Sequence, residues 1–283
     1  MNESHDHVAH PLLRSLVPTM TGYRQEGLPA GLHRGVPSPH LTLVITIDGP
    51  LRLAAHADPR QPPGTYDGLV GGLHTRPALI AHKGRQFGVQ LAITPLGARA
   101  LLGMPAGELA SWDADLTDVL GLQAPELVER VRAARDWPGR FAAIELAFLR
   151  LARSGVAVAP EVAEAWRLTT GSYGRLRVAE VARRVGWSSR HLGERFRVET
   201  GLTPKEAGRV ARFHHARGLL LRRVGTGRPA DLAALASVCG YADQAHLTRD
   251  WNALTGLPPA RYLAAEFGFV QDREPAAMAQ SPA

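Results

Sequence analysis

Apolar residues follow two different periods along this chain of 283 residues. Between Pro39 and Thr94, short apolar and β-branched runs alternate with Gly and Pro, a pattern typical of strands joined by turns. These runs cover residues 40–47, 51–55, 68–73, 78–81 and 88–94. From Pro95 the apolar spacing becomes helical, and it predicts helices over residues 96–102, 116–120, 125–134, 139–152 and 160–170. We therefore predict a β-rich region, a small barrel or sandwich, extended by helices.

The last third of the chain contains a repeat with an offset of 55 residues. The matching positions are His191-Leu192 with His246-Leu247, Phe196 with Trp251, Thr200-Gly201-Leu202 with Thr255-Gly256-Leu257, and Pro204 with Pro259. In each copy an amphipathic helix ends at a glycine, Gly186 or Gly240, and a second helix, the recognition helix, follows. Ser188 or Ser189 can cap the first recognition helix, and Asp243 can cap the second. The pattern therefore predicts two helix-turn-helix units, which suits a DNA-binding protein.

One continuous helix is predicted between the two units, from Pro204 to about Arg223. About 20 residues with a rise of about 1.5 Å each span about 30 Å. That length is close to the distance of about 34 Å between successive major-groove faces on one side of B-DNA. We therefore expect one monomer to place two recognition helices in adjacent segments of the major groove.

Helical geometry separates the outward side chains of each recognition helix from the two apolar side chains that the helix is expected to bury. The predicted base-reading residues are Arg190, His191, Glu194 and Arg197 in the first helix and Gln244, His246, Thr248, Arg249 and Asn252 in the second. Arginine prefers guanine, and glutamine and asparagine pair with adenine. Phosphates repel Glu194, so this residue either accepts from a cytosine amino group or marks a helix that reads little sequence. A solvated helix face is the alternative for each of these residues.

Other polar residues are assigned to DNA phosphates or to solvent, because the guanidinium group matches phosphate geometry. They are Ser189, Arg195, Arg209, Arg212, Arg222, Arg223 and Arg261. Trp187, Tyr241 and Trp251 occupy apolar positions of the repeat, so we expect them in the core rather than stacked on bases.

Charge supports an anionic partner for the last third. The chain has 33 Lys+Arg against 26 Asp+Glu, and the only lysines are Lys83 and Lys205. Residues 172–270 contain 16 basic and 8 acidic residues, a net charge of +8, and the rest of the chain is at −1. A basic domain next to a near-neutral one is typical of nucleic-acid binding.

Cysteine content and the first residues of the chain limit the classes of protein. A single cysteine, Cys239, excludes an internal disulfide and a cysteine-rich zinc site. The beginning of the chain has neither the basic nor the apolar region of a signal peptide. No apolar run reaches the length of about 20 residues that spans a bilayer. We expect no membrane association and a cytoplasmic protein associated with the bacterial nucleoid.

Residues 178–263, with this repeat and these motifs, resemble the DNA-binding domain of the AraC/XylS family of bacterial transcription regulators. The segment from Asp231 to Leu263 carries the resemblance most specifically, with Gly240-Tyr241, His246-Leu247-Thr248-Arg249 and Trp251. Two residues depart from the family pattern: Glu194 stands where arginine is usual, and Ala207 where an aromatic residue is usual. The first departure bears on sequence reading by the first unit, and the second on packing.

The resemblance implies a two-domain α+β protein. Its β-rich N-terminal domain, cupin-like in some relatives, would cover residues 1–170 with strands at about 40–94 and helices at about 95–170. The all-α double helix-turn-helix domain would cover 171–270, with a disordered tail at 271–283. The first domain would sense a small-molecule effector or form a homodimer. Double-stranded promoter DNA is the expected partner, with RNA polymerase as a further candidate for a transcription activator.

Two alternative functions are compatible with the sequence. One is a nonspecific architectural DNA-binding protein, and the other is an enzyme that the DNA-binding module targets to DNA. The sequence has no Gly-rich phosphate loop and no Gly-x-Ser-x-Gly elbow. Residues His33, His40, His56, His74 and His82 are scattered without metal-ligand spacing. We therefore expect no catalytic residues, no metal and no cofactor, and the effector-binding residues stay unknown.

Overall fold

A computed structural model describes residues 2–152 and 158–270. The strands lie in the N-terminal part of the chain, and all the strand pairs are antiparallel. They are β1 (Asn2–His7), β2 (Thr19–Glu26), β3 (Gly31–Gly35), β4 (Leu41–Thr46), β5 (Leu51–Ala55), β6 (Gly64–Tyr66), β7 (Gly68–Gly71), β8 (Ala78–His82), β9 (Arg85–Ile93) and β10 (Asp113–Asp115).

Two sheets result, and one face of the larger sheet carries the main core. The strand order is β1-β2-β9-β4-β7-β10 in the larger sheet and β3-β8-β5-β6 in the smaller one. Alternate residues of a strand point to the same side, and in β4 this places the fully buried Leu41, Leu43 and Ile45 on one face. Leu43 is in register with Leu91 of β9 and Val70 of β7, so the apolar face continues across the sheet.

Helices cover this apolar face. They are α1 (Pro95–Leu102), a 3-10 helix (Ala106–Leu109), α2 (Leu116–Leu120), α3 (Gln123–Ala133) and α4 (Trp137–Leu151). Phe141, Ile144 and Phe148 of α4 are buried in the core, which accounts for the apolar stripe of this helix by packing within one chain. At the start of α4 the Trp137 ring lies directly over Gly22 of β2, where a Cβ atom would overlap the ring.

The C-terminal part is helical. Its helices are α5 (Pro160–Gly171), α6 (Val178–Arg184), α7 (Ser189–Thr200), α8 (Pro204–Gly225), α9 (Leu232–Cys239), α10 (Gln244–Thr255) and α11 (Pro259–Val270). Trp166 of α5 packs on Phe196 of α7, with ring centroids 5.6 Å apart. Trp251 of α10 packs edge-on against Phe213 of α8 and Tyr262 of α11, at 5.1 and 5.6 Å. Aromatic contacts therefore tie α5 to α7 and join α8, α10 and α11.

Two buried carboxylates from the C-terminal helices join the two parts. Glu199, near the end of α7, accepts two hydrogen bonds from the Arg99 guanidinium of α1, at 2.8 and 2.9 Å. Glu266 of α11 accepts from Nη1 of Arg34 at 2.9 Å and lies 3.1 Å from Nδ1 of His33. Burial alone would raise the pKa of Glu266, but hydrogen bonds from His33 and Arg34 and the charge of His33 lower it overall.

The fold class is the α+β arrangement that the sequence predicts, a β-rich N-terminal part followed by an all-α part. Strands β4, β5, β7, β8 and β9 lie where the apolar runs predicted strands. The pattern did not predict β1, β2 and β3, which precede residue 40, or the three-residue strands β6 and β10. Helix α5, placed before the predicted boundary at residue 170, packs on α6, α7 and α8. The division into domains stays a prediction, and the predicted tail at 271–283 lies outside the described residues.

Among the described residues, none of the helices combines the length and apolar character needed to cross a bilayer.

Candidate nucleic-acid interface

The two helix-turn-helix units, α6–α7 and α9–α10, begin their second helices in the same way. Ser188 caps α7 by accepting a hydrogen bond from the backbone N–H of His191 at 3.2 Å. Asp243 caps α10 by accepting from the backbone N–H of His246 at 2.6 Å. A side-chain oxygen at this position satisfies an N–H group that the first turn leaves unpaired. The predicted caps are therefore in place in both units.

The ends of the two recognition helices also agree. In α7 the Thr200 hydroxyl donates to the Phe196 carbonyl at 2.9 Å and accepts from the Leu202 N–H at 3.2 Å. Thr255 makes the corresponding bonds at the end of α10, at 2.9 and 3.1 Å. Each helix is followed by a glycine in the left-handed region, as a C-terminal cap requires. The repeat in the sequence is thus a repeat of hydrogen-bond geometry.

The outward face of α7 carries the four residues that the sequence predicts there. Arg190, His191, Glu194 and Arg197 are all exposed. Nε of Arg190 donates to Oε1 of Glu194 at 3.0 Å, one helical turn away. The His191 ring lies edge-on against the half-buried Trp187, with centroids 4.6 Å apart. Glu194 therefore offsets the charge of one of the two arginines on this face.

The outward face of α10 differs, because its exposed side chains carry no carboxylate. Gln244, Arg249 and Asn252 are exposed, and His246 and Thr248 are half-buried. Within the described residues, the side chains of Gln244, Arg249 and Asn252 form no hydrogen bond or ion pair. This helix presents one guanidinium and two amides to an approaching partner.

The predicted phosphate contacts fall into two groups. Five of these residues are exposed, namely Ser189, Arg195, Arg222, Arg223 and Arg261. Nε of Arg223 also donates to the Pro229 carbonyl at 2.7 Å, which holds it near the end of α8. The remaining two, Arg209 and Arg212, are engaged inside the protein.

Arg209 and Arg212 lie on α8 and hold neighbouring elements together. Nε of Arg209 donates to Oδ1 of Asp250, which joins α8 to α10. Arg212 donates to the carbonyl oxygens of Tyr173 and Gly174, both at 3.1 Å, and its guanidinium lies 5.3 Å from the centre of the Tyr241 ring. Burial, and then the charge of Asp250, raise the pKa of Tyr241. These contacts orient the second unit on α8.

The predicted connecting helix is present as α8, with 22 residues. At about 1.5 Å per residue it is about 33 Å long. It begins with a capping box in which Thr203 and Glu206 each accept a hydrogen bond from the other's backbone N–H, at 3.2 and 2.8 Å. Its length agrees with the spacing expected for helices that enter successive major-groove segments.

Two cations that were not among the predicted residues, Arg177 and Lys205, line a cleft together with His246 of α10. Arg177 is the residue before α6, and Lys205 lies in the first turn of α8; both are exposed. Neither residue lies on the outward face of a recognition helix, where the base-reading residues were predicted. Lys205 is the only lysine among the arginines of the last third, and this was the one sequence feature that could have indicated it.

Among the residues that the structure describes, no group of three or more His, Cys, Asp or Glu side chains could hold a metal ion. Cys239, the last residue of α9, is buried, and burial raises the pKa of its thiol. A buried neutral thiol is a poor nucleophile.

Comparison with known proteins agrees with this geometry. Residues 181–265 match the family described as "Helix-turn-helix domain". None of the curated proteins has a sequence that matches the chain.

Solved structures of ToxT from Vibrio cholerae are similar in fold. An apo variant of ToxT from strain SCE256 has a TM-score of 0.51 at 13% identity, over 87% of this chain and 97% of ToxT. ToxT bound to (E)-4-(8-methylnaphthalen-1-yl)but-3-enoic acid has a TM-score of 0.50 at 11% identity, over 93% and 98%. Wild-type ToxT bound to an unsaturated fatty acid has a TM-score of 0.50 at 11% identity, over 86% and 94%.

Proposed function

We propose that this protein regulates transcription by binding specific sites on double-stranded DNA, because residues 181–265 match a helix-turn-helix family and resemble the DNA-binding domain of the AraC/XylS regulators. The single observation that carries the proposal is the pair of recognition helices built by identical capping and terminal hydrogen bonds. α7 precedes α8, and α10 is joined to α8 through Asp250 and Arg209. Two recognition helices carried by one chain in this way suit two major-groove segments on one side of a duplex.

Base reading is assigned mainly to α10. Its exposed Gln244, Arg249 and Asn252 have free donors and acceptors of the kind that distinguish bases in the major groove. His246 and Thr248 flank them. In α7, Arg190, His191, Glu194 and Arg197 form the second reading face, where the Arg190–Glu194 pair leaves Arg197 as the strongest candidate for a base contact.

Affinity is assigned to arginine–phosphate contacts. Ser189, Arg195, Arg222, Arg223 and Arg261 are exposed around the two units and suit this role. Each phosphate that a protein neutralises contributes about 0.9 to the slope of log K against log salt. The proposed interface therefore predicts a steep decrease in affinity as the salt concentration rises.

The proposal is tested by selecting binding sites from a pool of random duplexes with the full chain. We expect a discrete site, bound more tightly than random duplexes by about 1,000-fold or more. Equal affinity for every duplex would contradict specific recognition and leave a nonspecific architectural protein. Titrations at several salt concentrations measure the electrostatic part separately.

We also propose that a small molecule binds in the N-terminal part and controls the DNA-binding part. The favouring observation is Gln25 of β2, which is fully buried while both its amide nitrogen and its amide oxygen lack a hydrogen-bond partner within the described residues. Gln25 lies on the sheet face opposite Gly22, which packs under Trp137. An unsatisfied buried polar group costs about 1–3 kcal/mol, which a bound polar group would offset.

An unsaturated fatty acid is the first probe for this effector, because one of the similar ToxT structures has an unsaturated fatty acid bound. We expect the probe to raise the melting temperature of the wild-type chain and to have less effect on Gln25→Met. An equal shift in both proteins would contradict a role for Gln25, and no shift in either would exclude fatty acids as the effector. Contacts with RNA polymerase and homodimer formation stay predictions.

A further inference from the structure

A cleft of about 400 Å³ lies between the two helix-turn-helix units. The residues around it come from four helices and the segment before α6: the end of α5, the start of α6, the start and middle of α8, and α10. Its polar and charged lining includes Arg177, Lys205, Arg209, Arg212, His246 and Asp250. His246 belongs to the predicted reading face of α10, so the cleft adjoins the surface assigned to DNA.

The charge of the cleft favours an anion. Four cations line it against one carboxylate, Asp250. Arg209 is paired with Asp250, and Arg212 donates to two backbone carbonyls. Among the described residues, no hydrogen bond or ion pair engages the side chain of Arg177 or Lys205. These two exposed cations are therefore available to a bound anion.

A second observation points to a ligand in the same place. Thr169 at the end of α5 lines the cleft and is 4% exposed, yet its hydroxyl has no hydrogen-bond partner in the described part of the chain. Buried polar atoms in proteins are nearly always hydrogen-bonded. The hydroxyl can donate to an anion, and the exposed cations Arg177 and Lys205 on the same cleft can pair with its charge.

We propose that this cleft binds a phosphate group, and that in the DNA complex the group is a backbone phosphodiester between the two major-groove segments. The inference rests on the proposed DNA-binding function. A duplex that places successive major-groove segments against α7 and α10 passes its backbone between them. Arg177 and Lys205 come from the first unit and from α8, and His246 from the second. The contact would fix the register of both recognition helices without reading sequence.

The salt dependence of DNA binding tests this contact. The double variant R177Q/K205Q is compared with wild type on the selected duplex and on a random duplex of the same length. Arg228→Gln is the matched control, because Arg228 is exposed after the end of α8 and its side chain has no partner among the described residues. Melting curves verify that the variants fold, as expected for substitutions of exposed residues.

We expect the slope of log K against log salt to become shallower by about 0.9 for each phosphate contact that the substitutions remove. At about 0.15 M salt this corresponds to a decrease in affinity of about fivefold per contact, equal on both duplexes. The control variant should keep the wild-type slope. A double variant with the wild-type slope, or a decrease confined to the selected duplex, would overturn the proposal.

A second measurement distinguishes DNA from a free phosphorylated compound. Inorganic phosphate is compared with chloride at equal ionic strength by its effect on the melting temperature. Stabilisation of the wild type but not of the double variant, with an unchanged salt slope, would assign the cleft to a free phosphate compound and overturn the DNA contact. If the wild type selected no DNA site, the proposed function would fail. The melting temperatures would then test phosphate binding without DNA. An equal shift in the wild type and in the double variant would overturn phosphate binding by the cleft.

Discussion

The recognition helices of the two helix-turn-helix units have equivalent capping and terminal hydrogen bonds and different surroundings. In the first unit, the end of α7 is bound to the N-terminal part through Glu199 and Arg99, and its outward face contains a carboxylate, Glu194. In the second unit, α10 presents no outward carboxylate, and its inner side is fixed to α8 through Asp250 and Arg209. Beside Glu266 of α11, α7 thus links the helical part to the N-terminal part, and α10 is the helix that we propose as the main reader of sequence.

The largest expected effect separates the two reading faces directly. Arg249→Ala in α10 should reduce affinity for the selected duplex by about 5- to 150-fold, because one good base contact by arginine contributes about 1–3 kcal/mol. Arg190→Ala in α7 should change affinity less than about threefold, because its charge is already offset by Glu194. Titration of both variants against the same duplex measures the difference. Equal decreases would remove the distinction between the helices.

The second prediction concerns the link between α7 and the N-terminal part. Glu199→Gln should lower the free energy of unfolding by about 1–3 kcal/mol, because two charge-assisted hydrogen bonds to a buried carboxylate are weakened. Glu180→Gln is the matched control. Its partner Arg184 lies one turn away on the surface, where such pairs contribute less than about 1 kcal/mol. Denaturant titrations compare the two, and similar midpoints would show that the Arg99–Glu199 contact adds little.

The smallest expected effect concerns the charge of α7. Glu194→Gln removes a carboxylate that faces phosphates and releases Arg190 from its pair. We expect affinity for any duplex to rise a few-fold and the salt slope to steepen by up to about 1. Salt-dependent titrations on selected and random duplexes check this. An unchanged slope would place the Arg190–Glu194 pair away from the DNA.

The sequence alone predicted the parts of the fold that rest on local signals. Caps at Ser188 and Asp243, the buried Phe196 and Trp251, and the length of α8 follow from residue spacing within one or two helices. Because the helix-turn-helix unit occurs twice in the sequence, each of its residue patterns is found at two places. The N-terminal strands are different, because long-range packing forms them.

Strands β1 and β2 illustrate this limit. Four of the six residues of β1 are exposed at the edge of the sheet, so its sequence has no apolar alternation. In β2, Gly22 is buried only because Trp137 packs over it from a distant helix. Strands β6 and β10 have three residues each, too few for a periodic pattern.

The candidate interface shows the same limit for function. The outward faces of α7 and α10 were predictable because a helix fixes which side chains share a face. The partners of Arg209 and Arg212 were not, because Asp250 and the carbonyl oxygens of Tyr173 and Gly174 are about 40 residues away in the sequence. A count of arginines cannot separate those that hold the protein together from those that face outward.

Base-pair substitution across the selected duplex tests the central claim most directly. Every position is replaced in turn, and the affinity of the full chain for each duplex is measured. We expect two groups of sensitive positions with centres about 10 base pairs apart, which is one helical turn. Substitutions in the group read by α10 should reduce affinity more than those in the other group. The Arg249→Ala variant should no longer respond to substitutions in the group read by α10. A single group, or a uniform response along the duplex, would contradict reading by two recognition helices held on α8.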